Sequence, residues 1–179
     1  MFPVPLIDKL ARERGLPYLL IGGQAINAYC EPRSTLDVDF LVPRDDKAKW
    51  TQLLVSEGFR CINDANTFVQ FAPPYGVEWR LDLMLVNRST FSKLKNSAQV
   101  ISCLGVDAFL PSPEHLVALK LHALQHRPED KQPKDMEDIL NLIRNAKLEI
   151  DSPSMKEIFE RHGTKDTERK VRERLAARK

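Results

Sequence analysis

The chain has 179 residues, 42% hydrophobic and 29% charged, with a formal net charge of +2. Such proportions suit one globular domain, or a core with a small appendage, and exclude collagenous, low-complexity and disulfide-framed chains. Cys30, Cys61 and Cys103 are odd in number and form no C-x-x-C pair, and no apolar run nears the roughly 18 residues of a bilayer-spanning helix. A soluble, cytoplasmic protein with no signal segment and no membrane partner is the expectation. Charge is uneven, however. Residues 156–179 carry nine Lys/Arg against five Asp/Glu, which leaves 18 against 20 for the rest and so sets a basic tail on a slightly acidic body.

In chain order, Leu6, Ile7, Leu10 and Ala11 have the spacing of a short amphipathic helix over Pro5 to Arg14, closed by Gly15. Tyr18 to Ile21 is a brief apolar strand. Gly22 and Gly23 break it, and Gln24 to Tyr29 is expected to wind as a helix. Leu36 to Val42 alternates, with Leu36, Val38, Phe40 and Val42 on one face and Asp37, Asp39 and Leu41 on the other. A helix is expected over Asp45 to Gly58, then strands around Arg60 and over Thr67 to Phe71, separated by an Asn-Asp-Ala-Asn turn. After the turn Pro73-Pro74-Tyr75-Gly76, Val77 to Val86 alternates again and sets Asp82 among polar residues opposite Trp79, Leu81, Leu83 and Leu85. Helices follow over Pro113 to Gln125, Pro133 to Asn145 and, as one or two, from Pro153 onward, each opened by a proline. The expected organisation is a mixed α/β core over residues 1–110 and a helical C-terminal extension, residues 111–179, packing on it.

Side chains two apart on a strand point the same way and lie roughly 6 to 7 Å apart, so Asp37 and Asp39 present parallel carboxylates. Repulsion between them is relieved by a hard divalent cation, and Mg2+ binds through one or two carboxylates plus substrate phosphates. Asp82, on a second strand with the same polar-face pattern, is the third candidate for a two-metal site. Taken alone, an Asp-x-Asp is more often a pair of solvated acids on an exposed sheet face. Gly22-Gly23 stands between a strand and a helix, where backbone N–H groups can cradle a phosphate, and thirteen residues separate Gly23 from Asp37, enough for one short helix and a turn.

The run from Gly22 to Phe40, with Gly22-Gly23-Gln24-Ala25, Arg33-Ser34-Thr35 and Asp37-Val38-Asp39, resembles the signature of the DNA polymerase beta-like nucleotidyltransferase superfamily. Arg33 to Asp39 is similar to the R-x-T-x-D-h-D form of the AbiEii-like abortive-infection toxins and related small bacterial nucleotidyltransferases. Ala118 to Leu121, Arg127, Lys134-Asp135 and Asp138-Ile139 resemble the same branch, so the likeness spans roughly residues 18 to 143. It implies a nucleotidyltransferase-fold mixed sheet with flanking helices, and transfer of a nucleotide from a nucleoside triphosphate to a hydroxyl.

By the same resemblance, Asp37 and Asp39 hold Mg2+, with Mn2+ as the alternative, and Asp82 joins the metal set and helps activate the acceptor. Gly22 and Gly23 contact phosphates, Arg33 reaches a phosphate or caps local structure, and Lys120 neutralises the triphosphate or is a surface lysine. Asp135 and Asp138 are expected to be structural, pairing Lys134 or Arg127. Two departures stand out: the turn is Gly-Gly and offers no hydroxyl to a phosphate, and the Val-Arg-Asp run of tRNA CCA-adding enzymes is absent. The acceptor stays open among RNA, protein and a small molecule of the aminoglycoside type. An antitoxin partner, or a catalytically silent binding module, remains the other class. His122 and His126, at i, i+4, read as surface or partly buried histidines, and the cysteines lack an evident base.

Overall fold

In the computed structural model, which describes residues 4–126 and 132–177, the chain forms a mixed α/β fold with two compact units. The first unit comprises the described residues up to Ala28 together with Pro32–Pro111. It opens with α1 (Val4–Glu13), ended by Gly15 at φ +63°, a left-handed position that glycine adopts without strain. Strand β1 (Leu19–Ile21) runs directly into α2 (Gly22–Tyr29), so the glycines form the helix's first turn and do not precede it. Then come β2 (Asp37–Pro43), a short 3-10 turn, α3 (Lys47–Ser56), β3 (Arg60–Asp64), β4 (Phe68–Ala72) and β5 (Arg80–Val86). Helix α4 (Arg88–Asn96) and the hairpin β6 (Gln99–Cys103) and β7 (Val106–Leu110) complete the unit.

Five strands make one sheet in the order β1-β2-β5-β4-β3, with β2 and β5 parallel and every other pair antiparallel. The buried face runs across β1, β2, β5 and β4, while β3 is exposed: Leu20, Val38, Phe40, Val42, Leu81, Leu83, Leu85, Val69 and Phe71 are all within 3% of full burial. Phe40 stacks on Tyr18 at 4.3 Å between centroids, and Trp50 of α3 meets both rings edge-on at 5.8 and 5.9 Å. These offset and T-shaped contacts fix α3 on the sheet. The expected strand over Val77–Val86 is shorter than its pattern: Trp79 is buried but lies outside the ladder, which starts at Arg80.

The second unit comprises residues 29–31 and Ser112 onward. It is helical: α5 (Pro113–His126), α6 (Gln132–Asn145), α7 (Pro153–His162) and α8 (Lys165–Ala176). Leu116, Val117, Leu121, Ile139, Leu142, Met155, Phe159 and Val171 form its core. Ser152 and Thr164 cap α7 and α8 by accepting from the N–H groups of Met155 and Thr167. No helix among the described residues is long and apolar enough to cross a membrane.

One polar cluster, buried at Asp8 and Tyr18, holds α1 to the rest of its unit. Tyr18 donates its hydroxyl to Asp8 at 2.7 Å, Arg12 donates Nε to the same carboxylate at 2.8 Å, and Arg12 Nη2 reaches the carbonyl of Asp107 at 2.9 Å. Burial, then the bond to Asp8, pushes the Tyr18 phenol far above its ordinary value, so it serves as a donor throughout the usual pH range. Asp8→Ala is expected to lower the unfolding free energy by about 2 kcal/mol, because it strands that hydroxyl. Denaturant titration checks it, and Asp8→Ala/Tyr18→Phe should recover part of the loss.

Candidate active site

The open face of the sheet carries the acids. The parallel register sets Asp37 beside Arg80, Asp39 beside Asp82 and Leu41 beside Met84, and paired residues share a face. Across the antiparallel pairs, Ile21 stands opposite Asp39, Gln70 opposite Asp82 and Asn63 opposite Gln70. A single row therefore crosses all five strands: Ile21, Asp39, Asp82, Gln70, Asn63. Asp37 and Arg80 lie one step along from its centre.

Each carboxylate has a different local partner. Arg80 Nε lies 3.4 Å from Asp37 Oδ1, with both side chains about half exposed, so the pair contributes little to stability. Asp39 lies against the first turn of α2. Gly22 has φ +66°, and a Cβ there would overlap the Asp39 carboxylate. A helix start carries a partial positive charge and unbonded N–H groups, which favours an anion at this spot. Asp82 Oδ2 accepts from Gln70 Nε2 at 2.9 Å, and Gln70 Oε1 accepts from Asn63 Nδ2 at 3.3 Å. Among the described residues no group of three or more His, Cys, Asp or Glu forms a cluster that could hold a metal ion. The donor chemistry of Asp37 and Asp39, two hard carboxylates on one face beside a helix start, nevertheless fits a hard divalent cation.

The loop entering β2 is tied down locally. Asn27 Nδ2 donates to the carbonyl of Arg33 at 2.8 Å, while the Arg33 N–H donates to Asn27 Oδ1 at 3.0 Å. The Arg33 guanidinium makes a 3.4 Å contact with the Ser34 carbonyl. Gly23 is buried, and a Cβ there would stand 2.9 Å from Thr35 Oγ1. Its missing side chain thus makes room for Thr35, a packing reason that the phosphate-cradle expectation did not contain.

Lys120 belongs to the second unit and is 9% exposed. Its Nζ lies 2.6 Å from Asp135 Oδ1 and 2.8 Å from Asp138 Oδ2, both carboxylates being 1% exposed. The two acids expected to pair Lys134 or Arg127 are thus bound by Lys120; Arg127 itself lies outside the described residues. In the same unit, burial and the neighbouring His126 and His162 hold the His122 imidazole below its ordinary value. Burial pushes the Cys30 thiol up to about 11, which leaves it protonated and a poor nucleophile.

Sequence reasoning missed Gln70, Asn63, Arg80 and Asn27. The first three become legible only once strand pairing is known.

The architecture is that of nucleotidyltransferases. The crystal structure of ANT(2'')-Ia in complex with adenylyl-2''-tobramycin superposes with a TM-score of 0.64 at 16% identity, covering 94% of each chain. A nucleotidyltransferase-like protein from Paracoccidioides brasiliensis gives 0.54 at 19%, over 88% of this chain and 83% of its own. The lincomycin-bound lincosamide adenylyltransferase LnuA gives 0.53 at 17%, over 78% and 93%. The chain belongs to a family of uncharacterised nucleotidyltransferases, which it matches over residues 4–176. No curated protein sequence matches it.

Two expected outcomes test the local geometry. Gly22→Ala should cost about 1–2 kcal/mol from the left-handed backbone and the overlap with Asp39. Asp39→Ala in the same chain should remove the two nearest contacts and leave only the Asp39 Cβ, at 2.9 Å, so thermal unfolding of the double variant should show less than the sum of the two losses. Lys120→Met should cost about 3 kcal/mol by leaving two carboxylates buried without their shared cation. Equal stability of Lys120→Met, with weaker triphosphate binding in calorimetry, would instead mark Lys120 as a ligand residue.

Proposed function

We propose that the protein transfers a nucleotide from a nucleoside triphosphate to a hydroxyl group, with a small hydroxylated molecule as acceptor. The observation that carries the reading is the register of β2 and β5, which sets Asp39 beside Asp82 with Asp37 on the same face, next to the N-terminus of α2. Asp37 and Asp39 would hold Mg2+ or Mn2+, which when bound neutralises phosphate charge and polarises the phosphorus centre under attack. The chain's own groups supply the remainder. The first turn of α2, at Gly22 and Gly23, offers N–H donors to phosphate oxygens, and Arg33 and Arg80 offer guanidinium groups to the same charge. Asp82 accepts the proton of the attacking hydroxyl, or orients that hydroxyl, while it adds to the α-phosphorus and pyrophosphate leaves. Lys120 has a weaker claim, since a phosphate would have to compete with two buried carboxylates.

The choice of a small acceptor takes its support from the equal extent of the match with ANT(2'')-Ia, in complex with adenylyl-2''-tobramycin, and from the lincosamide adenylyltransferase LnuA. A protein or RNA acceptor, as in a toxin of the AbiEii-like kind with its antitoxin, is the alternative, and only the sequence motif favours it. The test is transfer of label from α-labelled triphosphates, each of the four in turn, with Mg2+ or Mn2+. Tobramycin, lincomycin, a small-molecule extract, tRNA and a protein extract serve as acceptors. Label is expected in the small-molecule fraction and lost by at least about a hundredfold in Asp39→Asn and Asp82→Asn, whose melting temperatures should stay near wild type. Label in tRNA or protein would transfer the reading to the alternative. No label anywhere, or full activity in Asp82→Asn, would overturn it.

A further inference from the structure

We infer that Gln70 is a positioning residue for the transfer reaction, holding the carboxylate of Asp82 in one orientation, and that Asn63 fixes which way the Gln70 amide faces. This inference rests on the reading of Asp82 given under Proposed function. Three observations carry it. The three residues occupy consecutive strands, β5, β4 and β3, at paired register positions on the acid face. Gln70 donates from Nε2 to Asp82 Oδ2 at 2.9 Å, and Asn63 donates from Nδ2 to Gln70 Oε1 at 3.3 Å. Both bonds run in the same direction, toward the acid.

Direction is the informative part. A carboxamide has a donor end and an acceptor end of nearly the same shape, and only the donor end suits an ionised carboxylate. A partner that donates to Oε1 leaves the NH2 end facing Asp82. Asn63, which is exposed, serves as that partner at the sheet's edge strand. The arrangement immobilises one oxygen of Asp82, and with it the plane of the group that must meet an incoming hydroxyl. Orientation of a proton-accepting group within a fraction of an ångström is worth up to about a hundredfold in rate. A bond of this kind contributes little to holding substrate, so its loss belongs in kcat and not in KM.

Gln70→Met removes the amide at nearly constant volume, Gln70→Glu keeps the shape and sets a second carboxylate beside Asp82, and Asn63→Ala removes only the outer bond. The assay is the triphosphate with which wild type gives label, together with the acceptor fraction it labels. Gln70→Met and Gln70→Glu should lower kcat by about ten- to a hundredfold, with KM for that triphosphate changed less than about twofold and the melting temperature little altered. Asn63→Ala should lower kcat less, by about threefold to tenfold, and because its side chain is exposed it tests the idea even where a Gln70 variant folds poorly. An activity-independent reading comes from the side-chain amide signals of Gln70 in a 15N-labelled sample, identified by their loss in Gln70→Met. They should move in Asp82→Asn and in Asn63→Ala. Unmoved signals, or wild-type kcat in Gln70→Met, would overturn the inference while leaving transfer intact. Absence of labelling by wild type itself would remove the transfer reading and this role together.

Discussion

The parallel pairing of β2 with β5 is the constraint on which the rest of the molecule depends. It is the one parallel pair in the sheet, and it alone brings acids distant in sequence onto neighbouring positions of one face. What pins it is not the acids but the opposite face. Val38, Phe40 and Val42 of β2 and Leu81, Leu83 and Leu85 of β5 are all buried. A one-residue slip of either strand would turn its apolar set to solvent and its polar set into the core. Each displaced aliphatic side chain would forfeit roughly 1.5–3 kcal/mol, and each buried carboxylate would add a penalty of its own. The hydrophobic core therefore acts as the jig that places Asp39 next to Asp82. The intervening segment, α3 with the β3–β4 hairpin, is what a parallel connection demands, since two parallel strands cannot be joined by a tight turn.

How much of this was legible in the sequence follows from the range of the interaction concerned. Period-two alternation is local, and it located β2 and most of β5 and which residues share the acid face, although Leu41 on that face is fully buried. It overran at Val77 because Trp79 is buried without being in the ladder, and burial, not pairing, is what alternation detects. The pattern sets the start of α2 two residues late, since glycine reads as a breaker where Gly22, at φ +66°, lets the strand turn straight into a helix. Helix α4 and the β6–β7 hairpin drew no expectation. The first is polar and depends on an Asn87 cap accepting from Thr90, and the second turns on Leu104-Gly105, both at positive φ, with leucine where such a turn favours Asn, Asp or Gly. The acids of the candidate site were legible for the same reason as their strands. Their partners were not, because Arg80, Gln70 and Asn63 acquire meaning only through register, which is non-local.

The second unit shows how one residue type supports two opposite expectations. By the sequence resemblance a helical lysine invites a phosphate, and two acids three apart on the next helix invite pairing with whatever cation is nearest in sequence. In the structure the invitations cancel: Lys120 on α5 and Asp135 and Asp138 on α6 satisfy one another, in a core otherwise made of Leu, Ile, Met and Phe. An i, i+3 spacing puts both acids on one helix face, so a single ammonium can bridge them. Such a cluster need not add to net stability relative to an apolar replacement, yet it makes the α5–α6 packing specific, because any other rotation of either helix buries a charge without its counterpart.

The acid face raises the further question of how a sheet tolerates three carboxylates within two adjacent strands. The structure answers with three different devices: an ion pair with Arg80 for Asp37, the N-terminus of α2 for Asp39 and a carboxamide hydrogen bond from Gln70 for Asp82. The three act on different acids, so like-charge repulsion is met locally at each. Arg80 lies on β5 itself, Gln70 on the flanking strand β4, and the third device is the helix that follows β1, the strand beside β2. Compensation is therefore built from three separate elements around the acids. The devices also differ in how they yield. An exposed ion pair exchanges partners at little cost, a helix start can accept a second anion when charge is balanced, and a hydrogen bond backed by a further amide is the stiffest of the three. That ordering gives the face an asymmetry. The Asp37–Asp39 side has the looser partners and Asp82 the stiffer one, a division of labour that the proposed transfer reaction would use.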